Sequence, residues 1–121
     1  RLQVMNAYGH RCAVTGLQLK IVEAAHVLPV AAPGSVDDVR NGIALSPTYH
    51  KAYDRGLIYL GPDYRMRLNS TKAERLIAEG LEGGLGALEG SLSRIFLPQD
   101  RRQWPDPKLI RKANAFRGIS P

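Results

Sequence analysis

His26, Asn41, His50 and Asp54 stand in the middle of this 121-residue sequence, and two of them are spaced for joint work. His50 and Asp54 lie four apart in a stretch that reads as a helix, so their side chains share one face. An imidazole and a carboxylate presented together form a two-donor platform for a divalent cation. His26 sits near the end of an apolar stretch, and a strand-end histidine facing that platform can take a proton from water. Taken singly, each residue has a plainer use. His26 between Ala25 and Val27 can be a buried, hydrogen-bonded histidine, Asn41-Gly42 is a common turn pair, and His50 and Asp54 can bond along a helix face. Chance seldom sets all four at these intervals, and the conjunction favours chemistry.

Those residues need elements to position them. Ile21 to Val27 reads as a strand, interrupted by Glu23 and His26, and Gly42-Ile43-Ala44-Leu45 reads as a second. Between them, Pro29 and Pro33-Gly34 open a loop that reaches Arg40, with Asp37 and Asp38 inside it. Ser46 is placed as an N-cap and Pro47 suits the first helical position, so a helix is expected from Thr48 to about Arg55, stopping at Gly56. Upstream, Leu2, Val4, Met5 and Tyr8 recur at near-helical spacing before Gly9, and Cys12 to Thr15 is short and β-prone. Downstream, Leu57 to Leu60 and Tyr64 to Leu68 flank Gly61-Pro62-Asp63 and predict a hairpin. A short helix is expected from Thr71 to Ala78 with Ser70 as cap. Glycines 80, 83, 84, 86 and 90 predict a mobile loop. Phe96-Leu97-Pro98 and Trp104-Pro105 read as extended anchors, and Pro107 opens a final helix through Phe116.

Seventeen Lys and Arg stand against eleven Asp and Glu, and the net charge of +6 favours a polyanionic partner. No apolar run is long enough to span a bilayer, so no membrane partner is expected. Cys12 is the sole cysteine, which excludes an internal disulfide and a four-cysteine zinc knuckle and makes a reducing, cytoplasmic setting the default. The length suits one domain. The sequence opens at Arg1 inside a helical stretch, as expected of a piece of a longer protein.

The order His26, fourteen residues, Asn41, eight residues, His50, three residues, Asp54 resembles the HNH, or ββα-metal, nuclease signature. The spacing is similar to that of colicin DNases, with Asp54 where those have a final histidine. Cys12-Ala13-Val14-Thr15-Gly16, Glu23-Ala24-Ala25-His26, Asn41-Gly42-Ile43-Ala44-Leu45 and His50-Lys51-Ala52-Tyr53-Asp54-Arg55-Gly56 look like the HNH group found among bacterial restriction endonucleases. The likeness covers about Val4 to Leu68 and is weaker as far as Phe116.

This resemblance implies an α+β fold: a ββα-metal core over about residues 4–68, with an added β-hairpin and C-terminal helices, the extension covering 69–121. Residues 1–121 would form a single nuclease domain, the C-terminal fragment of a longer bacterial protein with a DNA-reading domain before it. The implied activity is metal-dependent hydrolysis of DNA phosphodiester bonds, as the cleavage module of a restriction-type enzyme. His26 would activate water, and Asn41 would hold the long loop by side-chain hydrogen bonds and so orient His26. His50 and Asp54 would ligate one divalent cation (Mg2+, Mn2+ or Ni2+) that stabilises charge on the phosphate and the leaving 3′ oxygen. Lys51 and Arg55 suit phosphate contacts, as do Arg65 and Arg67, although exposed Arg on a hairpin is commonly just solvated. Arg101-Arg102 with Trp104 could clamp nucleic acid, but such a tryptophan more often anchors an extension.

Two departures stand out. Many members of that group carry Asp or His directly before the base as a further ligand, and here the position is Ala25. Glu23 is the nearest carboxylate and a possible extra metal ligand, though on a regular strand it shares a face with Ala25 rather than with His26. Zinc-stapled HNH proteins carry paired cysteines, whereas Cys12 is alone, so no structural zinc is expected. A catalytically inert HNH-like DNA-binding domain, which Ala25 would favour, and an RNA-directed nuclease or toxin are the alternative readings.

Overall fold

Gly42-Ile43-Ala44-Leu45 is small and apolar throughout, which suits a strand covered on both faces. In the computed structural model, which describes residues 1–120, β2 (Gly42–Leu45) is buried along its whole length. β1 (Glu23–His26) pairs with it antiparallel, Glu23 opposite Leu45 and His26 opposite Gly42. α2 (Pro47–Asp54) follows at once and packs back on both strands. α1 (Leu2–Ala7) lies against the same pair. β3 (Ile58–Leu60) and β4 (Met66–Leu68) make a separate antiparallel hairpin. α3 (Ser70–Ala78), α4 (Leu85–Gly90) and α5 (Pro107–Phe116) complete an α+β fold.

One apolar cluster joins these parts. It contains Val4 and Tyr8 from the α1 region, Ile43 and Leu45 from β2, Tyr53 from α2, Ile58 and Leu60 from β3, and Ile110 and Ala113 from α5. Burying an aliphatic side chain of this size contributes about 1.5–3 kcal/mol. The segment after residue 69 therefore helps to build the core that holds the strands.

Polar contacts tie the same segment to the loop between β1 and β2. Asp106 N donates to Arg40 O at 2.9 Å, and Arg40 Nε donates to Trp104 O at 3.1 Å. Trp104 is an anchor: its Nε1 donates to Pro98 O at 2.6 Å, its ring meets Tyr64 edge-on at 5.3 Å, and Arg101 lies 4.8 Å from its centre. That use of the indole leaves little of it to stack on a base.

Several local expectations need correction. Cys12 to Thr15 forms a tight turn and not a strand, with Gly16 N donating to Cys12 O and Gly16 at φ +77. Burial pushes the Cys12 thiol up, but hydrogen bonds with Thr15 and Ser46 outweigh it and hold the group below its ordinary value. β1 starts at Glu23 because Leu19 and Lys20 adopt positive φ just before it, which turns Ile21 outward. Asn69, not Ser70, is the N-cap of α3. Ser46 does sit at the N-cap of α2 but makes no side-chain cap bond. The glycine-rich stretch is not all loop: α4 forms from Leu85, with Gly84 at φ +85 before it, because Leu88 packs against the core. Among the described residues no helix is long and apolar enough to cross a membrane.

Candidate active site

His26 is placed by its neighbours in the backbone. It closes β1 opposite Gly42, and the next residue is gripped from both sides. Val27 N donates to Asn41 O at 2.9 Å, and Val27 O accepts from Tyr53 Oη at 2.8 Å and from Arg117 Nη1 at 3.4 Å. Burial pushes the Tyr53 phenol above its ordinary value, so it remains a donor. Among the described residues no side chain bonds the half-buried His26 ring, which lines an open cleft of about 1140 Å³ together with Asn41, His50 and Asp54.

Asn41 is 1% exposed, and all its amide capacity is directed at the long loop. Oδ1 accepts from Leu28 N at 2.8 Å, while Nδ2 donates to Val36 O at 2.8 Å, Leu28 O at 3.2 Å and Ser35 Oγ at 3.4 Å. A side chain that reads in the sequence as half of a turn pair therefore spans the loop between the two strands. Its neighbour Gly42 is required for a different reason. A Cβ at Gly42 would overlap the Val4 side chain of α1. Gly42→Ala is expected to cost about 1–3 kcal/mol through overpacking, and Val4→Ala in the same chain should recover part of the loss. Thermal melts of the single and double variants check this.

His50 and Asp54 share one face of α2, with Nε2 and Oδ2 3.3 Å apart. The other ring nitrogen, Nδ1, meets Glu23 Oε1 at 2.7 Å. Three residues named from the sequence are thus brought into one chain of contacts, Glu23–His50–Asp54. His26 and Asn41 reach the same cleft from the strand side. The chain of contacts is no closed cage: among the described residues no three His, Cys, Asp or Glu side chains are gathered to hold an ion.

The donor set still fits a divalent cation. Two donors each about 2.1 Å from one ion sit roughly 3.0–3.4 Å apart, and the His50–Asp54 separation falls in that interval. In the tautomer that carries its proton on Nδ1, toward Glu23, Nε2 turns a lone pair toward the Asp54 carboxylate. That pairing is repulsive until a positive charge, proton or metal ion, lies between them. One imidazole and one carboxylate on an open cleft suit a cation that completes its shell with water and phosphate oxygens.

Lys51 and Arg55 project from the adjoining face of α2 into a second groove of about 620 Å³. The structure adds Lys72 and Arg75 of α3 to it, two residues the sequence reading passed over. Their i, i+3 spacing on an amphipathic helix was the available signal. All four are exposed, and none is within ion-pair distance of an acid among the described residues. Arg67, by contrast, is committed. It grips Asp63 at 2.6 and 2.8 Å and holds that carboxyl down to about 2, so it is not free for phosphate.

Residues 12–61 match the HNH endonuclease family. No curated protein matches the chain. Among solved structures, the fold is similar to that of a modification dependent TagI restriction endonuclease, with a TM-score of 0.64 and 23% sequence identity. The likeness covers 93% of this chain and 35% of that one, so this chain spans about a third of its length.

Proposed function

Since residues 12–61 match the HNH endonuclease family, we propose that the chain hydrolyses DNA phosphodiester bonds, with His26 as general base and one divalent cation held by His50 and Asp54. The observation that carries this reading is the shared cleft: a strand-end imidazole with no side-chain partner among the described residues lies across from a histidine–carboxylate pair spaced for one ion.

In this mechanism His26 accepts a proton from water as the water oxygen attacks phosphorus. The bond from phosphorus to the 3′ oxygen breaks, leaving a 5′ phosphate and a 3′ oxygen that takes its proton from solvent water in the open cleft to become the 3′ hydroxyl. The cation, when bound, supplies charge stabilisation to the phosphate and the leaving oxygen. His50 and Asp54 fix where that charge sits. Asn41 keeps the loop between β1 and β2 drawn together, and the grip of Asn41, Tyr53 and Arg117 on Val27 keeps His26 aimed into the cleft. Lys51 and Arg55, joined by Lys72 and Arg75, offer positive charge with no ion-pair partner among the described residues to the phosphates flanking the cut. The shares covered in the TagI comparison support reading this unit as the cleavage part of a restriction-type enzyme, with DNA reading done by a further N-terminal segment. The lone buried cysteine suits a bacterial cytoplasm.

Purified protein is expected to nick or linearise plasmid with Mg2+, Mn2+ or Ni2+ and to stop with chelator. Its DNA affinity should fall steeply as salt rises and show little sequence preference. A matched RNA run beside the plasmid separates the substrates. Cleavage that survives exhaustive chelation would remove the cation from the mechanism, and cleavage of RNA alone would overturn the choice of DNA.

A further inference from the structure

The contact between Glu23 and His50 has a chemical consequence that rests on reading His50 as a metal-holding residue. Glu23 opens β1 opposite Leu45, the residue just before the Ser46-Pro47 start of α2. That register sets its carboxylate beside the first turn of the helix, where His50 follows. Glu23 Oε1 lies 2.7 Å from Nδ1, while Asp54 Oδ2 lies 3.3 Å from Nε2. The two ring nitrogens point away from each other, so an ion on Nε2 and Asp54 is out of reach of the oxygen that bonds Nδ1.

We propose that Glu23 is a positioning residue and not a ligand: it accepts the Nδ1–H of His50, fixes that tautomer, and turns the Nε2 lone pair to the cleft and Asp54. A neutral imidazole carries one proton, and whichever nitrogen holds it cannot bind a cation. Without a partner at Nδ1 the ring divides between two tautomers and two orientations, and only one is competent. A carboxylate on the outer nitrogen removes the wrong choice before the ion arrives and makes the inner nitrogen a better donor. Glu23 thus contributes from outside the coordination shell and does not fill the place that Ala25 leaves empty. The contact is half-exposed, with 52% of the Glu23 side chain open to solvent, so replacing it should leave the fold intact.

Two measurements test this, neither needing DNA. The first is nitrogen NMR of the histidine rings in metal-free protein, comparing wild type with Glu23→Ala and Glu23→Gln. In the neutral ring, wild-type His50 should carry its proton on Nδ1, and Glu23→Ala should give a mixture or the opposite form. The second is calorimetric titration of the same proteins with Mn2+, beside Asp54→Ala. Glu23→Ala should weaken binding roughly 10- to 100-fold, Glu23→Gln less, and Asp54→Ala should leave no measurable site. A wild-type His50 in the Nε2–H form overturns the proposal. So does a Glu23→Ala affinity as poor as that of Asp54→Ala, which would make Glu23 a ligand, or one equal to wild type, which would make the contact incidental. If the tautomer and affinity results hold while plasmid stays uncut, the nuclease reading fails and the role of Glu23 stands.

Discussion

Replacing His26 with alanine is expected to lower plasmid cleavage by roughly two to four orders of magnitude, the usual range for a lost general base, while Mn2+ binding stays near wild type. The reason is the division seen in the cleft. His26 comes from the end of β1 and has no side-chain partner among the described residues, whereas the donors for an ion both come from α2. His50→Ala and Asp54→Ala should therefore behave differently, losing metal binding and cleavage together. Titration calorimetry beside a plasmid assay reads both effects. If His26→Ala loses the metal while Asp54→Ala keeps it, the roles are reversed and the mechanism above is wrong.

Asn41→Ala should damage stability first and cleavage second. The truncated side chain strands Leu28 N–H in the interior and removes the donor to the carbonyl of the more exposed Val36. An unpaired buried group costs roughly 1–3 kcal/mol, so a loss of about 2 kcal/mol is expected, or a fall in Tm on the order of 10 °C. Asn41→Asp is the informative companion. It keeps the acceptor for Leu28 N but turns the two bonds donated to carbonyls into contacts between oxygens, and should be no better than alanine. At temperatures where the variants remain folded, cleavage should fall less than in His26→Ala, because no reacting group is lost. A melting temperature unchanged by Asn41→Ala would mean that the loop does not depend on this amide.

The sequence was most legible where one short segment decides its own structure. Gly42–Leu45, the Pro47 helix, the Gly61-Pro62-Asp63 hairpin and the Pro107 helix all appear where periodicity and punctuation place them. It was least legible where the outcome depends on a distant partner. Glu23 looks misdirected on an isolated strand, because its relevant neighbour is on a helix that follows the next strand. Leu85 to Gly90 reads as loop because of its glycines, although Leu85, Ala87, Leu88 and Glu89 favour a helix, which forms where Leu88 has a core to cover. Lys72 and Arg75 read as ordinary surface charge until α3 lies beside α2. The four chemistry-bearing residues were visible for the opposite reason, since their spacing reflects a strand–loop–strand–helix path that is itself local.

Arg117 gives that contrast a practical edge. Ninety residues separate it from Val27, yet its guanidinium sits 4.4 Å from the Tyr53 ring and shares the carbonyl that follows His26. Anyone grafting this cutter onto a foreign DNA-binding module would be tempted to transplant residues 12–61, the span that the family match outlines. Such a graft would carry the four proposed site residues and leave behind Ile110 and Ala113 of the apolar cluster and Arg117, which bonds the carbonyl after His26. The portable cassette runs through Arg117, and a fusion partner is better joined ahead of α1, away from the helix end that bonds the residue after His26.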